Sequence, residues 1–212
     1  ADALRGIAAD AAPPMRVAWI DLPDGLAAFV WTFHHAALDG WSGAIVLGEV
    51  FEAYRDGRVP PLDVHLPAPS VDPAAAEAYW RAALPSPFVP TPLPVLRVRR
   101  PEAPGAAEDV RALPAEATAG LRRLARRLRV SVSAVVNGAW ALVLARASAR
   151  DEVVFGVTVS GRPPEVAGAE SAVGCFIGML PLAVRAGGDE EVGSWLARIA
   201  ALANSARPWE GP

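Results

Sequence analysis

Lysine is absent from this 212-residue chain, and all 20 of its basic residues are arginine. With neither a lysine nor a glycine-rich phosphate loop, the sequence has nothing built to cradle a nucleotide. The single cysteine, Cys175, rules out an intrachain disulfide framework and any cysteine-rich metal site, and reads as a small buried hydrophobe. The longest apolar stretch, "VSAVVNGAWALVLA", contains Asn137 and falls short of the roughly 20 residues that span a bilayer. No basic-then-apolar leader opens the chain, so a soluble cytoplasmic protein is expected. It begins at Ala1 without an initiator methionine, which points to a piece of something longer. A formal net charge of −3 provides no field for nucleic acid or an anionic membrane.

What is present is 52% hydrophobic, enough for a substantial core. "PPMRVAWIDL" and "LAAFVWTFHH" read as two strands joined by "PDG", a hairpin signal. Alternation puts Phe29, Trp31, Phe33 and His35 on one face of the second strand, and Ala28, Val30, Thr32 and His34 on the other. After Gly40 the spacing of Leu47, Val50, Phe51 and Tyr54 predicts a helix. Gly and several Pro end it in "RDGRVPPLDVHLPAP", which holds His65 as a surface residue. A short helix is predicted at "PAAAEAYWRAAL", and the proline-rich "PSPFVPTPLPVLRVRRPEAPG" follows as a connector between lobes. Beyond it come an amphipathic helix through Leu121, Leu124, Ala125 and Leu128, and a more buried helix that Ser131 or Ser133 could cap. "DEVVFGVTVSG" and "GCFIGMLPLAV" read as strands, and Val192, Trp195, Leu196 and Ile199 mark a last helix. The mixture means an α/β or α+β fold.

The candidate chemistry lies in "HHAALDGWS", residues 34–42. Two of the chain's three histidines stand side by side there, three residues ahead of an Asp-Gly pair. Chance would produce that joint pattern in a chain this long on the order of once in a thousand sequences or less. Neighbouring strand residues point to opposite faces, so one imidazole can meet a substrate while the other packs behind. Asp39 can cap the following helix or pair with an arginine, and Gly40 permits a tight turn.

On these residues the sequence resembles the condensation domains of non-ribosomal peptide synthetases, within the chloramphenicol-acetyltransferase-like acyltransferases. Their signature, His-His, three residues, Asp-Gly, then usually Trp-Ser, is matched from His34 to Ser42. "EAYWRAAL" (77–84) and "VVFGVTVSGRPPEVAGAESAVGCFIGMLPLAV" (153–184) agree in order and spacing with further family segments. The resemblance implies a two-lobed α/β sandwich, both lobes incomplete here: residues 1–90 in the N-terminal lobe with the histidine motif, 91–212 in the C-terminal lobe, and His35 facing the gap between them. It implies an acyltransferase that forms an amide bond when an acceptor amine attacks a donor thioester. No cofactor is bound directly, because both substrates ride on phosphopantetheine arms. The implied partners are donor and acceptor peptidyl carrier protein domains and neighbouring synthetase domains, with no nucleic acid, membrane or metal.

Residue by residue, the resemblance implies that His35 is catalytic and that His34, Asp39 and Gly40 support it structurally. Trp41, Ser42, Arg162 and Gly178 become candidate contacts to substrate or carrier, with Arg162 alternatively a loop anchor. The family's arginine partner for the aspartate would lie upstream of Ala1, which would leave Asp39 unpaired in this chain. Where the family usually has Asn-Thr, this chain has Gly178-Met179. Rival readings are an epimerization domain, which places its Ser-Trp later than this Trp41-Ser42, a standalone or ester-forming acyltransferase, and a non-catalytic module docking carrier proteins or a tailoring enzyme. Half-lobes with uncovered apolar faces are expected to make the isolated chain poorly soluble and inactive.

Overall fold

The computed structural model describes residues 5–8, 12–58, 71–92, 110–162 and 166–210. His65 and most of the proline-rich connector lie outside them. Nine regular elements run in the order β1 (Met15–Asp21), β2 (Ala27–Phe33), α1 (Gly40–Asp56), α2 (Pro73–Ala83), α3 (Ala115–Leu128), α4 (Val132–Ser148), β3 (Glu152–Val159), β4 (Gly178–Arg185) and α5 (Val192–Ala206). They fall into two compact units, Ala1–Pro69 with Ser160–Gly178, and Ser70–Val159 with Met179–Pro212. The units do not follow chain order, since the loop after β3 belongs with the first.

In the first unit β1 and β2 pair antiparallel, from Met15 opposite Phe33 to Asp21 opposite Ala27. Pro23–Gly25 turns the hairpin, helped by Asp24 and Gly25 in the left-handed region at φ 67° and 73°. β2 stops at Phe33, so His34 and His35 lie past the strand. The expectation that strand alternation assigns them opposite faces therefore fails, and a turn orients both. α1 opens at Gly40 with Asp39 as its N-cap and closes on Gly57 at φ 66°. Only Ser42 of α1 is buried, and its predicted face of Leu47, Val50, Phe51 and Tyr54 is exposed, Tyr54 to 90%. On the hairpin, Val17, Trp19 and Phe29 are exposed on one side and Ile20 and Val30 on the other.

The second unit holds the main core. β3 and β4 hydrogen-bond as a two-stranded sheet, and α3, α4 and α5 pack in contact with one another. Val153, Val184 and Ile199 are fully buried amid Leu144, Leu182 and Leu196. Each such side chain contributes roughly 1.5–3 kcal/mol by leaving water. Ser131, of the two serines considered, caps α4 by accepting from the amide of Ala134 at 3.1 Å. Gly138 lets α4 and α5 touch, because a Cβ there would meet Leu196 at 2.7 Å and Trp195 at 3.0 Å. α2 is held by the stacking of Tyr79 on Trp209, with ring centroids 5.2 Å apart.

No single described helix is long and apolar enough to cross a membrane. The many exposed aliphatic and aromatic side chains predict that the 212-residue chain on its own binds a hydrophobic dye such as ANS and self-associates. Light scattering and dye fluorescence check this, and a monodisperse monomer without dye binding would contradict it.

Candidate active site

A buried polar hub forms where the N-terminus of α1 meets the 160–178 loop, within the first unit. Asp39 is its centre. One carboxylate oxygen, Oδ1, accepts from the amide of Ser42 at 2.8 Å, which is the helix cap, and the other, Oδ2, accepts from the amide of Phe176 at 3.0 Å. Arg162 reaches the same carboxylate, Nη2 to Oδ1 at 3.3 Å, with both side chains 3% exposed. The family resemblance leaves Asp39 without a partner in this chain. It has one, 123 residues downstream.

Ser42 is fully buried, and its hydroxyl is saturated. It donates to the carbonyl of Gly174 at 2.7 Å and accepts from the Gly174 amide at 3.0 Å and from Arg162 Nη2 at 2.8 Å. One donor and two acceptor positions is the whole capacity of a hydroxyl, so Ser42 has nothing left for a ligand. Arg162 also donates through Nη1 to the carbonyls of Ala169 at 2.6 Å and Ala172 at 2.8 Å. Its guanidinium lies 4.3 Å from the ring centroid of Phe176 and 5.7 Å from that of Trp41, a cation–π arrangement. Its Nε is the one buried side-chain polar atom without a partner among the described residues. Gly161, at φ 61°, precedes it where any Cβ would fall on the Phe176 carbonyl. Arg162 is thus spent on binding the loop to α1.

Burial pushes the Asp39 carboxyl up. The amides of Ser42 and Phe176, the Ser42 hydroxyl and the Arg162 charge outweigh burial and bring it from 3.8 down to about 2. Because the folded value lies below the unfolded one, this stabilisation is complete above about pH 4 and vanishes as pH falls toward 2, where both states are protonated. The difference corresponds to about 2 kcal/mol. Denaturant unfolding between pH 5 and 2 is expected to show that loss, and its absence in Asp39→Asn would assign it to this carboxyl.

The two histidines differ in what holds them. His34 is half-buried, and its Nδ1 accepts from the amide of Ala36 at 3.1 Å. His35 is exposed, and its side chain makes no hydrogen bond or ion pair among the described residues. It stands four residues before the anchored Asp39. Trp41 is exposed, with its indole N–H donating to the Glu170 carbonyl at 2.9 Å. A Cβ on Gly40 would meet nothing within 4 Å, so neither backbone strain nor a protein neighbour demands glycine there. Gly178 is the exposed first residue of β4, outside the hub. Cys175, expected to be buried, is exposed between the anchored Gly174 and Phe176. No group of three or more His, Cys, Asp or Glu is placed to hold a metal among the described residues.

A family model for the condensation domain matches residues 2–211. The chain belongs to the condensation-domain family. A linear gramicidin synthase of Brevibacillus parabrevis is 36% identical over 219 residues, covering 94% of this chain and 3% of the synthase. Chondramide synthase cmdD of Chondromyces crocatus is 36% identical over 209 residues, covering 92% of this chain and 5% of its own length. The first condensation domain of the calcium-dependent antibiotic synthetase, solved in complex with a substrate analogue, superposes with a TM-score of 0.60 at 27% identity, over 93% of this chain and 48% of that one. This chain thus spans about half of a solved condensation domain and a small fraction of the synthases it matches. Its mixed helix-and-strand architecture is that of the chloramphenicol-acetyltransferase-like condensation domains, as the histidine motif implied.

Proposed function

We propose that the protein containing this chain forms an amide bond between two carrier-bound substrates, with His35 as the catalytic base. The observation that carries the reading is the contrast inside the motif of a condensation-domain member: Asp39 and Ser42 are locked into a buried hub, while the imidazole of His35 is exposed and unpartnered among the described residues. An enzyme that acts on an incoming amine needs one free proton acceptor on a rigid mount.

The amine nitrogen of the acceptor attacks the thioester carbonyl of the donor and a C–N bond forms. His35 hydrogen-bonds the amine and takes its proton. The tetrahedral intermediate collapses, the C–S bond breaks, and the departing thiolate receives the proton. Imidazole suits both transfers because it exchanges protons near neutral pH. The Asp39–Arg162–Ser42 hub takes no part in the transfers and holds the turn on which His35 sits. Partners consistent with this reading are donor and acceptor carrier proteins bearing phosphopantetheine arms, and the gramicidin and chondramide synthases among the relatives agree with it.

The test loads a donor acyl group and an amine acceptor onto separate carrier proteins and follows product by mass spectrometry. An amide on the acceptor carrier is expected. Product only from an alcohol acceptor, or only from a free thioester without carriers, would overturn the reading in favour of an ester-forming or standalone acyltransferase.

A further inference from the structure

We propose that His34 is a positioning residue that acts through a side-chain turn built on its Nδ1, and that this turn sets the backbone of His35. The inference rests on the catalytic reading of His35 above. Three hydrogen bonds carry it. The amide of His34 donates to the carbonyl of Pro14 at 2.9 Å, tying the turn to the chain leading into β1. The carbonyl of His34 accepts from the amide of Ala37 at 2.9 Å, which closes a four-residue turn with His35 at its first central position. The ring of His34 then accepts from the amide of Ala36 at 3.1 Å, bridging directly across His35.

That last bond has the topology of an Asx-turn, in which an asparagine or aspartate Oδ1 accepts from the amide two residues on. Here an imidazole Nδ1 fills the same place, one bond beyond Cγ. Accepting requires a lone pair on Nδ1, so the ring proton sits on Nε2. The two closures together restrain the dihedrals on both sides of His35, a residue whose own side chain has no partner among the described residues to hold it. The first histidine of the pair thus serves as an acceptor at one fixed atom, and a residue supplying an acceptor at the same atom can replace it.

The test uses His34→Asn, His34→Gln and His34→Ala in the whole protein, with condensation rates taken per folded molecule. Asparagine places Oδ1 where Nδ1 was, whereas glutamine moves its acceptor one bond further out. His34→Ala and His34→Gln are expected to lower the single-turnover rate by about 10- to 10²-fold, the scale for a misplaced catalytic group, and His34→Asn to recover most of that loss. In a His35→Ala background, His34→Ala is expected to cost nothing further. Asparagine as slow as alanine, or full additivity with His35→Ala, would overturn the proposal. A second readout needs no activity: the imidazole 15N spectrum of His34 at neutral pH should show the Nε2–H tautomer alone, and an even mixture would contradict it. If His35→Ala leaves the rate unchanged, both the catalytic reading and the positioning role fall, whereas loss of the asparagine rescue alone removes only the latter.

Discussion

Replacing Asp39 with alanine is expected to cost about 3–5 kcal/mol of stability, the range for removing one partner of a buried ion pair. The cost has separable sources. Arg162 would remain buried at 8% exposure with its carboxylate counter-charge gone. The amide of Phe176 would lose its acceptor, and α1 its cap. Arg162→Ala should be similarly severe for a different reason: it releases the carbonyls of Ala169 and Ala172, as well as Ser42 and Asp39, at one stroke. Because both variants break the same hub, the double variant should lose clearly less than the sum of the two. Asp39→Asn keeps the shape and a cap acceptor but forfeits the charge, and should fall between the parent and Asp39→Ala. Urea unfolding of the parent and these variants measures this. An Asp39→Ala protein within about 1 kcal/mol of the parent would show that the ion pair contributes little to the fold.

The hub also shows where sequence reasoning runs out. Local signals are readable: "PDG" between alternating strands marks the hairpin, Asp39 sits where a cap belongs, and Ser131 precedes an apolar run. Alternation reaches too far, because periodicity carries no mark of the residue at which a strand ends. β2 stops at Phe33, and a turn takes over at the two histidines that matter most. Nor does any local pattern relate residue 39 to residue 162, even with "SGRPP" in view. That pairing exists only because the loop after β3 folds back onto α1. Gly174 and Phe176 contribute through backbone atoms, which any residue carries, so their part in the hub leaves no compositional trace. The helical spacing of Leu47, Val50, Phe51 and Tyr54 correctly locates α1 but not its surroundings, since that face is exposed in a chain spanning about half of a solved condensation domain.

His35→Ala carries the second large effect, and it falls on rate rather than on stability. The side chain is exposed and makes no hydrogen bond among the described residues, so its removal should shift unfolding by no more than about 0.5 kcal/mol. If its imidazole takes the amine proton, the chemical step should slow by about 10² to 10⁴, the usual contribution of a positioned acid–base group. The contrast with Asp39→Ala is what makes the pair informative, because one variant keeps the fold and loses the rate while the other loses the fold and takes the rate with it. The most direct measurement is single-turnover condensation between a carrier-loaded donor and a carrier-loaded amine acceptor, comparing the whole protein with its His35→Ala variant after their unfolding curves have been matched. Superimposable curves with a rate lowered by about two to four orders of magnitude are the predicted result, and a folded His35→Ala protein that condenses at the parental rate would contradict the account.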